Sequence, residues 1–232
     1  GGIAHDFNNL LTVINTYAGL VADAARDPEL RADVEEIRKA GQSAATLTRQ
    51  LLAFGRKSTA QPQVLDLERV ALEMEKLLRR VLGEHVQLSI RVEPGLWRVK
   101  ADPSQLEQVI LNLVGNSRDA MPAGGLIRIT TGSREVGRGE AGNVPAAAFV
   151  TLAVSDTGQG MSPEVQEKMF EPFFTTKPTG KGAGLGLSTV YGIITQHNGH
   201  ISVHSEPGKG STFTVYLPVA LQAGPSPTEK AA

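Results

Sequence analysis

The sequence predicts an α+β protein with two parts. The first is an N-terminal helical hairpin that forms a dimeric four-helix bundle, and the second is an α/β sandwich of one mixed sheet and three helices. Two observations predict this class. Apolar residues recur at three- and four-residue steps over residues 3–57, which is typical of amphipathic helices. From Val64 onward, helical and alternating patterns follow one another, which favours a layered α/β structure.

Two helices account for residues 3–57. The first carries an apolar stripe from Ile3 to Val21, and the second carries one from Leu30 to Phe54. Asp27-Pro28-Glu29 separates them, because proline disfavours helix at the residue before it. One hairpin cannot bury both stripes, so we expect a homodimer. Residues 58–63 follow as a predicted linker and hinge.

The second part begins near residue 64 and ends near residue 219. Asp102-Pro103 is a strong helix start, with aspartate as the cap and proline at the first helical position. The predicted helices are Asp66–Leu82, Asp102–Met121, Pro163–Met169 and Leu187–His197. The predicted strands are Val86–Val92, Leu126–Thr131, Phe149–Val154, His200–Ser205 and Ser211–Leu217. Residues 220–232 are rich in Pro, Ala and Ser, and we expect a flexible tail.

Composition excludes several classes of function. The net charge of the 232 residues is −1 without a long basic run, so neither nucleic acid nor a membrane surface is the expected partner. There is no cysteine, which excludes disulfides and thiolate catalysis. The longest apolar stretch, residues 146–154, is too short to cross a bilayer. We expect a soluble, cytoplasmic segment of a longer protein, whose upstream regions could carry a membrane anchor.

His5 is the first candidate for chemistry. It lies roughly 160–200° from the apolar stripe of its helix, on the solvent side. Asp6 flanks it, and Asn9 is its i+4 neighbour on the same face. An exposed imidazole has a nitrogen able to attack phosphorus, and an adjacent carboxylate can accept its proton. Taken alone, an ordinary surface histidine explains the position equally well.

Polar side chains repeat along the helix after Asp102. Asn112 and Asn116 lie one turn apart on one face, and Asp119 lies a further turn on. They could form a solvated face. They could also supply carbonyl oxygens to Mg²⁺ while their amide groups contact phosphates.

Two glycine-rich segments complete the candidates. Asp156-Thr157-Gly158-Gln159-Gly160 follows a strand, and could be an ordinary turn or a carboxylate that accepts from the exocyclic amine of adenine. Residues 182–187 run into a helix start, where N–H groups can face phosphate, although such a pattern alone is weak evidence. The aromatics of residues 170–177 could plug a core or clamp a lid. Residues 208–211 are predicted to form only a hairpin turn.

In order, these segments resemble the boxes of two-component sensor histidine kinases. The resembling segments are residues 4–11 (phosphoacceptor box), 112–116 (N box), 156–160 (first glycine box), 170–174 (F box) and 182–186 (second glycine box). The His-Asp-Phe-Asn-Asn wording resembles a hybrid-kinase branch. Five boxes in the correct order cover nearly the whole chain, so the match is specific.

The resemblance implies both the activity and its residues. Residues 1–60 would be the dimerisation and phosphotransfer domain, and residues 64–219 an ATP-binding domain of the Bergerat type. It implies that ATP phosphorylates His5 with the help of Asp6, and that a response-regulator receiver accepts the phosphoryl group. It also implies that the kinase dephosphorylates this receiver, with Asn9 as the residue that supports this second reaction. It implies Mg²⁺ on Asn116. The implied nucleotide-binding residues are Asn112, Asn116, Asp119, Asp156, Gly158, Gly160, Thr176, Lys177, Lys181, Gly182, Gly184, Leu185, Gly186 and Thr212.

One departure from the family pattern changes the electrostatics. Asp119 stands where many members carry lysine or arginine, so Lys177, Lys181 or, less favourably placed, Arg118 must meet the phosphate charge. Hydrolytic ATPases of the gyrase and Hsp90 types share the ATP fold, but they carry a glutamate base where this chain has Asn112, which cannot accept a proton. A non-enzymatic pseudokinase is the third alternative, and the complete boxes argue against it.

Overall fold

The computed structural model describes residues 2–38, 40–41, 61–93, 95–136, 147–178 and 182–220, with side chains from Leu10 onward. The chain divides into two compact units. The first comprises Gly1–Ala60 and Thr175–Leu185, and the second comprises Gln61–Phe174 and Gly186–Ala232.

The first unit contains the predicted hairpin helices. Helix α1 spans Gly2–Ala24, and a second helix, α2, covers residues 28–38 of the described chain. The break at residues 25–27 confirms the predicted turn. Asp27 caps α2, since its Oδ1 accepts from the N–H of Glu29 at 3.0 Å. The predicted continuation of the second helix over residues 42–57, linker residues 58–60 and tail residues 221–232 lie outside the described residues.

The second unit begins at Gln61 and alternates strands with helices. Its strands are β1 (Gln63–Leu65), β2 (Val86–Arg91), β3 (Val99–Ala101), β4 (Gly125–Val136), β5 (Ala147–Asp156), β6 (His200–Glu206) and β7 (Gly210–Pro218). Its helices are α3 (Leu67–Glu73), α4 (Glu75–Leu82), α5 (Pro103–Asp119), α6 (Pro163–Lys168) and α7 (Gly186–Gln196).

One mixed sheet and the helices on one of its faces form the core, as predicted. The strand order is β2-β4-β5-β7-β6. β2 and β4 are parallel, whereas the other three pairings are antiparallel. The buried side of α5 packs between this sheet and the neighbouring helices, and fully buried side chains there include Ile110, Leu113, Ile127 and Ile129.

Two local features differ from the sequence prediction. The predicted helix Asp66–Leu82 is interrupted at the buried Met74, where no proline or glycine marks the break. β1 and β3 were not predicted; they pair antiparallel, with Gln63 opposite Ala101. Three-residue strands are too short to show an alternating pattern, so only their pairing reveals them.

Candidate active site

Helix α5 presents the polar face that its spacing predicts. Asp102 caps it, because its Oδ1 accepts from the N–H of Ser104 at 2.9 Å, and Pro103 occupies the first turn. The residues buried on the opposite side are Leu106, Val109, Ile110, Leu113, Val114 and Ser117. Asn112 and Asn116 are half-buried and Asp119 is exposed, so the apolar stripe orients the candidate amides away from the core.

Asp156, the last residue of β5, is buried at 7% exposure. Its Oδ1 accepts from the N–H groups of Gly158 at 2.9 Å and Ser211 at 3.2 Å. Its Oδ2 accepts from the Ser117 hydroxyl at 2.9 Å. A carboxylate has about four acceptor positions, two on each oxygen. The two donors on Oδ1 use that oxygen, so the remaining position on Asp156 lies on Oδ2.

The glycines around Asp156 are required by close backbone approaches. A Cβ on Gly158 would lie 2.7 Å from the carbonyl oxygen of Ala120. Gly160 has φ +66°, and a Cβ there would collide with the carbonyl oxygen of Glu206. A Cβ on Gly210 would collide with the carbonyl oxygen of Asp156 itself. Gly158 therefore packs against the end of α5, while Gly160 and Gly210 pack the first glycine segment against the β6–β7 hairpin.

Serines that the sequence prediction missed hold this arrangement together. Ser205 Oγ donates to the carbonyl of Gly210 at 3.1 Å and accepts from the N–H of Met161 at 2.9 Å. It also lies 2.9 Å from Ser211 Oγ. The predicted hairpin turn at residues 208–211 is confirmed, but Ser211 within it also contacts Asp156. No local signal marks Ser205 or Ser211 as part of the site, because their contacts to Met161 and Asp156 span 44 and 55 positions.

Thr212, a predicted nucleotide-binding residue, lies elsewhere. Its Oγ1 donates to Ser155 Oγ at 2.9 Å, and the two residues are directly paired between β7 and β5. Side chains alternate along a strand, so Thr212 and Ser155 lie on the sheet face opposite to that of Asp156. The structure therefore brings Ser211, and not the side chain of Thr212, to the carboxylate.

The two N-box amides have different surroundings. Asn112 donates from Nδ2 to the carbonyl of Gly186 at 3.3 Å, and its Oδ1 accepts from Gln108 at 3.0 Å. This contact joins α5 to the first residue of α7. Asn116 lies beside the same glycine, since a Cβ on Gly186 would be 3.5 Å from its Nδ2. The Asn116 side chain makes no hydrogen bond within the described part of the chain, which leaves a hard amide oxygen for a ligand.

Asp119 forms an ion pair with its neighbour Arg118. Arg118 donates to Asp119 Oδ1 from Nη2 at 2.8 Å and from Nε at 3.0 Å, and its Nη1 contacts the carbonyl of Val81 at 3.3 Å. The guanidinium is thus directed to the end of α4.

The second glycine segment and the residues before it belong largely to the first unit. The N–H of Lys177 donates to Thr175 Oγ1 at 3.1 Å, and a Cβ on Gly182 would lie 3.1 Å from Lys177 Cδ. Gly184 has φ +66°, a conformation that favours glycine. Thr176 is exposed and Leu185 is buried. Lys181 lies outside the described residues.

The F-box aromatics divide between two roles. Phe170 packs against the core, and its ring lies 5.3 Å from that of Tyr191 on α7. Phe173 is 58% exposed and has φ +69°, an unusual conformation for a bulky residue. Phe170 therefore fits the interpretation of a core plug, and a lid that includes Phe173 stays a prediction.

His5, Asp6 and Asn9 all lie in α1. The helical backbone places His5 and Asn9 one turn apart on the same side, as their spacing predicts. The side chains of these three residues lie outside the described part of the structure.

Comparisons with known proteins match both parts of the chain. A family model described as histidine kinase-, DNA gyrase B- and HSP90-like ATPase matches residues 101–221. A model described as the His kinase A phosphoacceptor domain matches residues 1–60. The chain is 48% identical over 229 residues to the sensor kinase CckA of Brucella abortus (strain 2308), covering 96% of this chain and 24% of that protein. It is 34% identical over 220 residues to the sensor histidine kinase ZraS of Klebsiella oxytoca, covering 94% and 45%.

Several solved structures are also similar in fold to this chain. Full-length ShkA in complex with AMPPNP superposes with a TM-score of 0.69 at 25% identity, over 97% of this chain and 46% of that one. The catalytic domain of histidine kinase ThkA gives a TM-score of 0.54 at 29% identity, over 68% and 96%. The chain spans less than half the length of the curated relatives described above. In the part of the chain that the structure describes, no helix combines the length and apolar character that a bilayer crossing requires.

Proposed function

Because this chain belongs to the histidine kinase-, DNA gyrase B- and HSP90-like ATPase family, as a two-component histidine kinase, we propose that it phosphorylates its own His5 from ATP. The phosphoryl group then passes to an aspartate of a response-regulator receiver. Residues 1–60 act as the dimerisation and phosphotransfer domain, and residues 64–219 act as the ATP-binding domain.

The acceptor position on Asp156 Oδ2 carries the proposal. Ser117, Gly158 and Ser211 hold the carboxylate rigidly and use its other positions. The exocyclic amine of adenine is a donor that fits the position on Oδ2, whereas guanine has a carbonyl oxygen there and is repelled by a carboxylate. A base-specific anchor of this kind favours ATP over GTP as the phosphoryl donor.

Asn116 is the residue that would hold Mg²⁺. Its amide oxygen is a ligand that Mg²⁺ prefers, and this ion usually takes one or two protein oxygens together with phosphates and water. When bound, the ion neutralises charge on the transferred phosphoryl group. Lys177 and Lys181 would supply the positive charge that Asp119 does not, and N–H groups around Gly182, Gly184 and Gly186 would contact the phosphates.

Phosphoryl transfer, and not hydrolysis, suits the residues of α5. The amide of Asn112 cannot accept a proton, and both of its ends are already hydrogen-bonded. The attacking group must therefore bring its own base, and His5 with Asp6 does so. An imidazole nitrogen of His5 forms the P–N bond as the bond from the γ-phosphorus to the bridging oxygen breaks. Asp6 takes the imidazole proton, and ADP leaves.

The first unit is proposed to form a homodimer. Large apolar side chains of α1 are exposed in the single chain, among them Leu10 at 61%, Tyr17 at 65% and Leu20 at 59%. Exposed apolar stripes of this length mark an association surface.

Asn9 is proposed to support dephosphorylation of the receiver by orienting water. Because ATP is the proposed donor, the segment works on the cytoplasmic side of the membrane.

Incubation of the chain with γ-labelled ATP and Mg²⁺ tests the function. We expect label on the protein that is lost in acid and retained in base, as for a phosphoramidate. His5→Ala should abolish the label and leave ATP affinity within about twofold, because His5 and Asp156 belong to different units. Label that persists on the His5→Ala protein would identify another acceptor and overturn the assignment.

A further inference from the structure

Asp102 does two separate tasks with its two oxygens. It is buried at 8% exposure. Oδ1 caps α5, accepting from the N–H of Ser104 at 2.9 Å and from its hydroxyl at 2.6 Å. Oδ2 accepts from the backbone N–H of Gln61 at 3.0 Å, across 41 positions of sequence. Only the first task belongs to an ordinary helix cap.

The hydrogen bond to Oδ2 comes from a residue at the boundary between the two units. Gln61 is the first residue of the second unit. It lies within the predicted linker of residues 58–63, whose last residue, Gln63, belongs to β1. It precedes β1, whose partner β3 ends at Ala101, the residue before Asp102. The bond to Oδ2 therefore joins the incoming chain to the start of α5.

A residue close to Asp102 on α5 also contacts the end of α7, the second helix of the site. Gln105, in the first turn of α5, lies with Oε1 2.8 Å from Nε2 of His197, which directly follows α7. A second contact between these helices is the hydrogen bond from Asn112, in the middle of α5, to Gly186, the first residue of α7. The linker end is thus connected to both helices that carry predicted nucleotide-binding residues.

A carboxylate is not needed for the cap alone. Serine, threonine and asparagine cap helices about as well, and a buried charge is costly unless donors surround it. Burial alone raises the pKa of Asp102, but the donors on Ser104 and the N–H of Gln61 outweigh it and hold that pKa below its ordinary value. What the carboxylate adds is a second acceptor oxygen, and the linker uses it.

We infer that Asp102 is a positioning residue for phosphoryl transfer, because its Oδ2 fixes the point at which the linker enters the nucleotide-binding unit. This inference rests on the proposed kinase activity. The reaction requires the ATP unit to present its γ-phosphate to His5 on the other side of the linker. Fixing the linker end restricts the orientations that this unit explores, so a larger fraction of encounters is productive.

Asp102→Asn separates the two tasks. Oδ1 and the cap remain, while an amide –NH₂ replaces Oδ2 and opposes the N–H of Gln61, so two donors face each other. Gln61→Pro removes the same bond from the other side and leaves the carboxylate intact. Gln61→Ala is the matched control, because it keeps the backbone N–H.

Three quantities are measured for each variant: affinity for a fluorescent ATP analogue, initial autophosphorylation rate at saturating ATP, and thermal midpoint. We expect Asp102→Asn and Gln61→Pro each to lower the saturated rate about tenfold, with ATP affinity unchanged within about twofold. The double variant should be no slower than either single variant. Gln61→Ala should match the wild type.

Other outcomes overturn the inference. An unchanged rate in both variants would show that the bond has no role in positioning. A rate that falls in step with ATP affinity, or additive effects in the double variant, would assign Asp102 to general support of the fold. Absence of label on the wild-type chain that still binds ATP would instead refute the kinase activity itself.

Discussion

Replacing Asp156 by asparagine tests the nucleotide pocket most directly. The bond expected from adenine to Oδ2 is a hydrogen bond to a charged acceptor, worth about 1.5–3 kcal/mol. In Asp156→Asn, the N–H groups of Gly158 and Ser211 can still bond to the remaining oxygen, and the hydroxyl of Ser117 can turn to accept from the new amide. The fold should therefore persist, and the loss should fall on the ligand. We expect ATP affinity to drop about 10- to 150-fold.

The assay is titration of a fluorescent ATP analogue, with the GTP analogue measured in parallel. An asparagine amide can donate to the carbonyl of guanine, so discrimination between the two bases should narrow in Asp156→Asn. Ser117→Ala is the control variant. It removes a protein donor from Oδ2 but leaves the ligand position open, so its loss of ATP affinity should be the smaller. The thermal midpoint of each variant reports whether the fold is intact.

Two results would refute this reasoning. ATP affinity that is unchanged in Asp156→Asn would remove the carboxylate from the adenine pocket. An equal loss for the ATP and GTP analogues, with a lowered thermal midpoint, would show that Asp156 only supports the backbone of the β5 turn.

Three further predictions concern the oligomeric state, the separate roles of Asp6 and Asn9 in α1, and the pH dependence of the free energy of unfolding. The whole chain should be dimeric by light scattering at micromolar concentration, and Leu20→Glu should shift it toward monomer; a wild-type monomer would contradict the bundle. With a cognate receiver, Asn9→Ala should spare autophosphorylation and slow receiver dephosphorylation, whereas Asp6→Ala should slow autophosphorylation. If Asn9→Ala loses both activities, Asn9 is a structural residue. Burial lowers the pKa of His197 against the opposing charge of Asp102, so the unfolded chain binds more protons. The free energy of unfolding should therefore fall as pH drops below about 6.5, the ordinary pKa of histidine, and His197→Gln should flatten this slope in urea titrations at several pH values.

Local pattern predicted much of the architecture because helices and strands differ in the period of their apolar residues. The start of α5 follows from Asp102-Pro103, whereas its observed end at Asp119 comes two residues before the predicted end at Met121. The break between α1 and α2 follows from Pro28, whose ring restricts the residue before it. Residue types alone also indicated the chemistry, since an acceptor-only carboxylate, paired amides and glycine-rich turns suit adenine, a metal ion and phosphate.

Long-range pairing decided the rest. Which donors hold Asp156 depends on Ser117 and Ser211, 39 and 55 positions away, and the bond from Gln61 to Asp102 spans 41. Thr212 and Ser211 are adjacent in sequence, yet strand alternation puts their side chains on opposite faces. The sequence by itself determined most of the elements, though not β1, β3 or the break between α3 and α4, and it determined the kinds of groups available. Only the tertiary structure decided which of them meet, because hydrogen bonds between distant segments depend on strand register and helix packing and leave no local pattern.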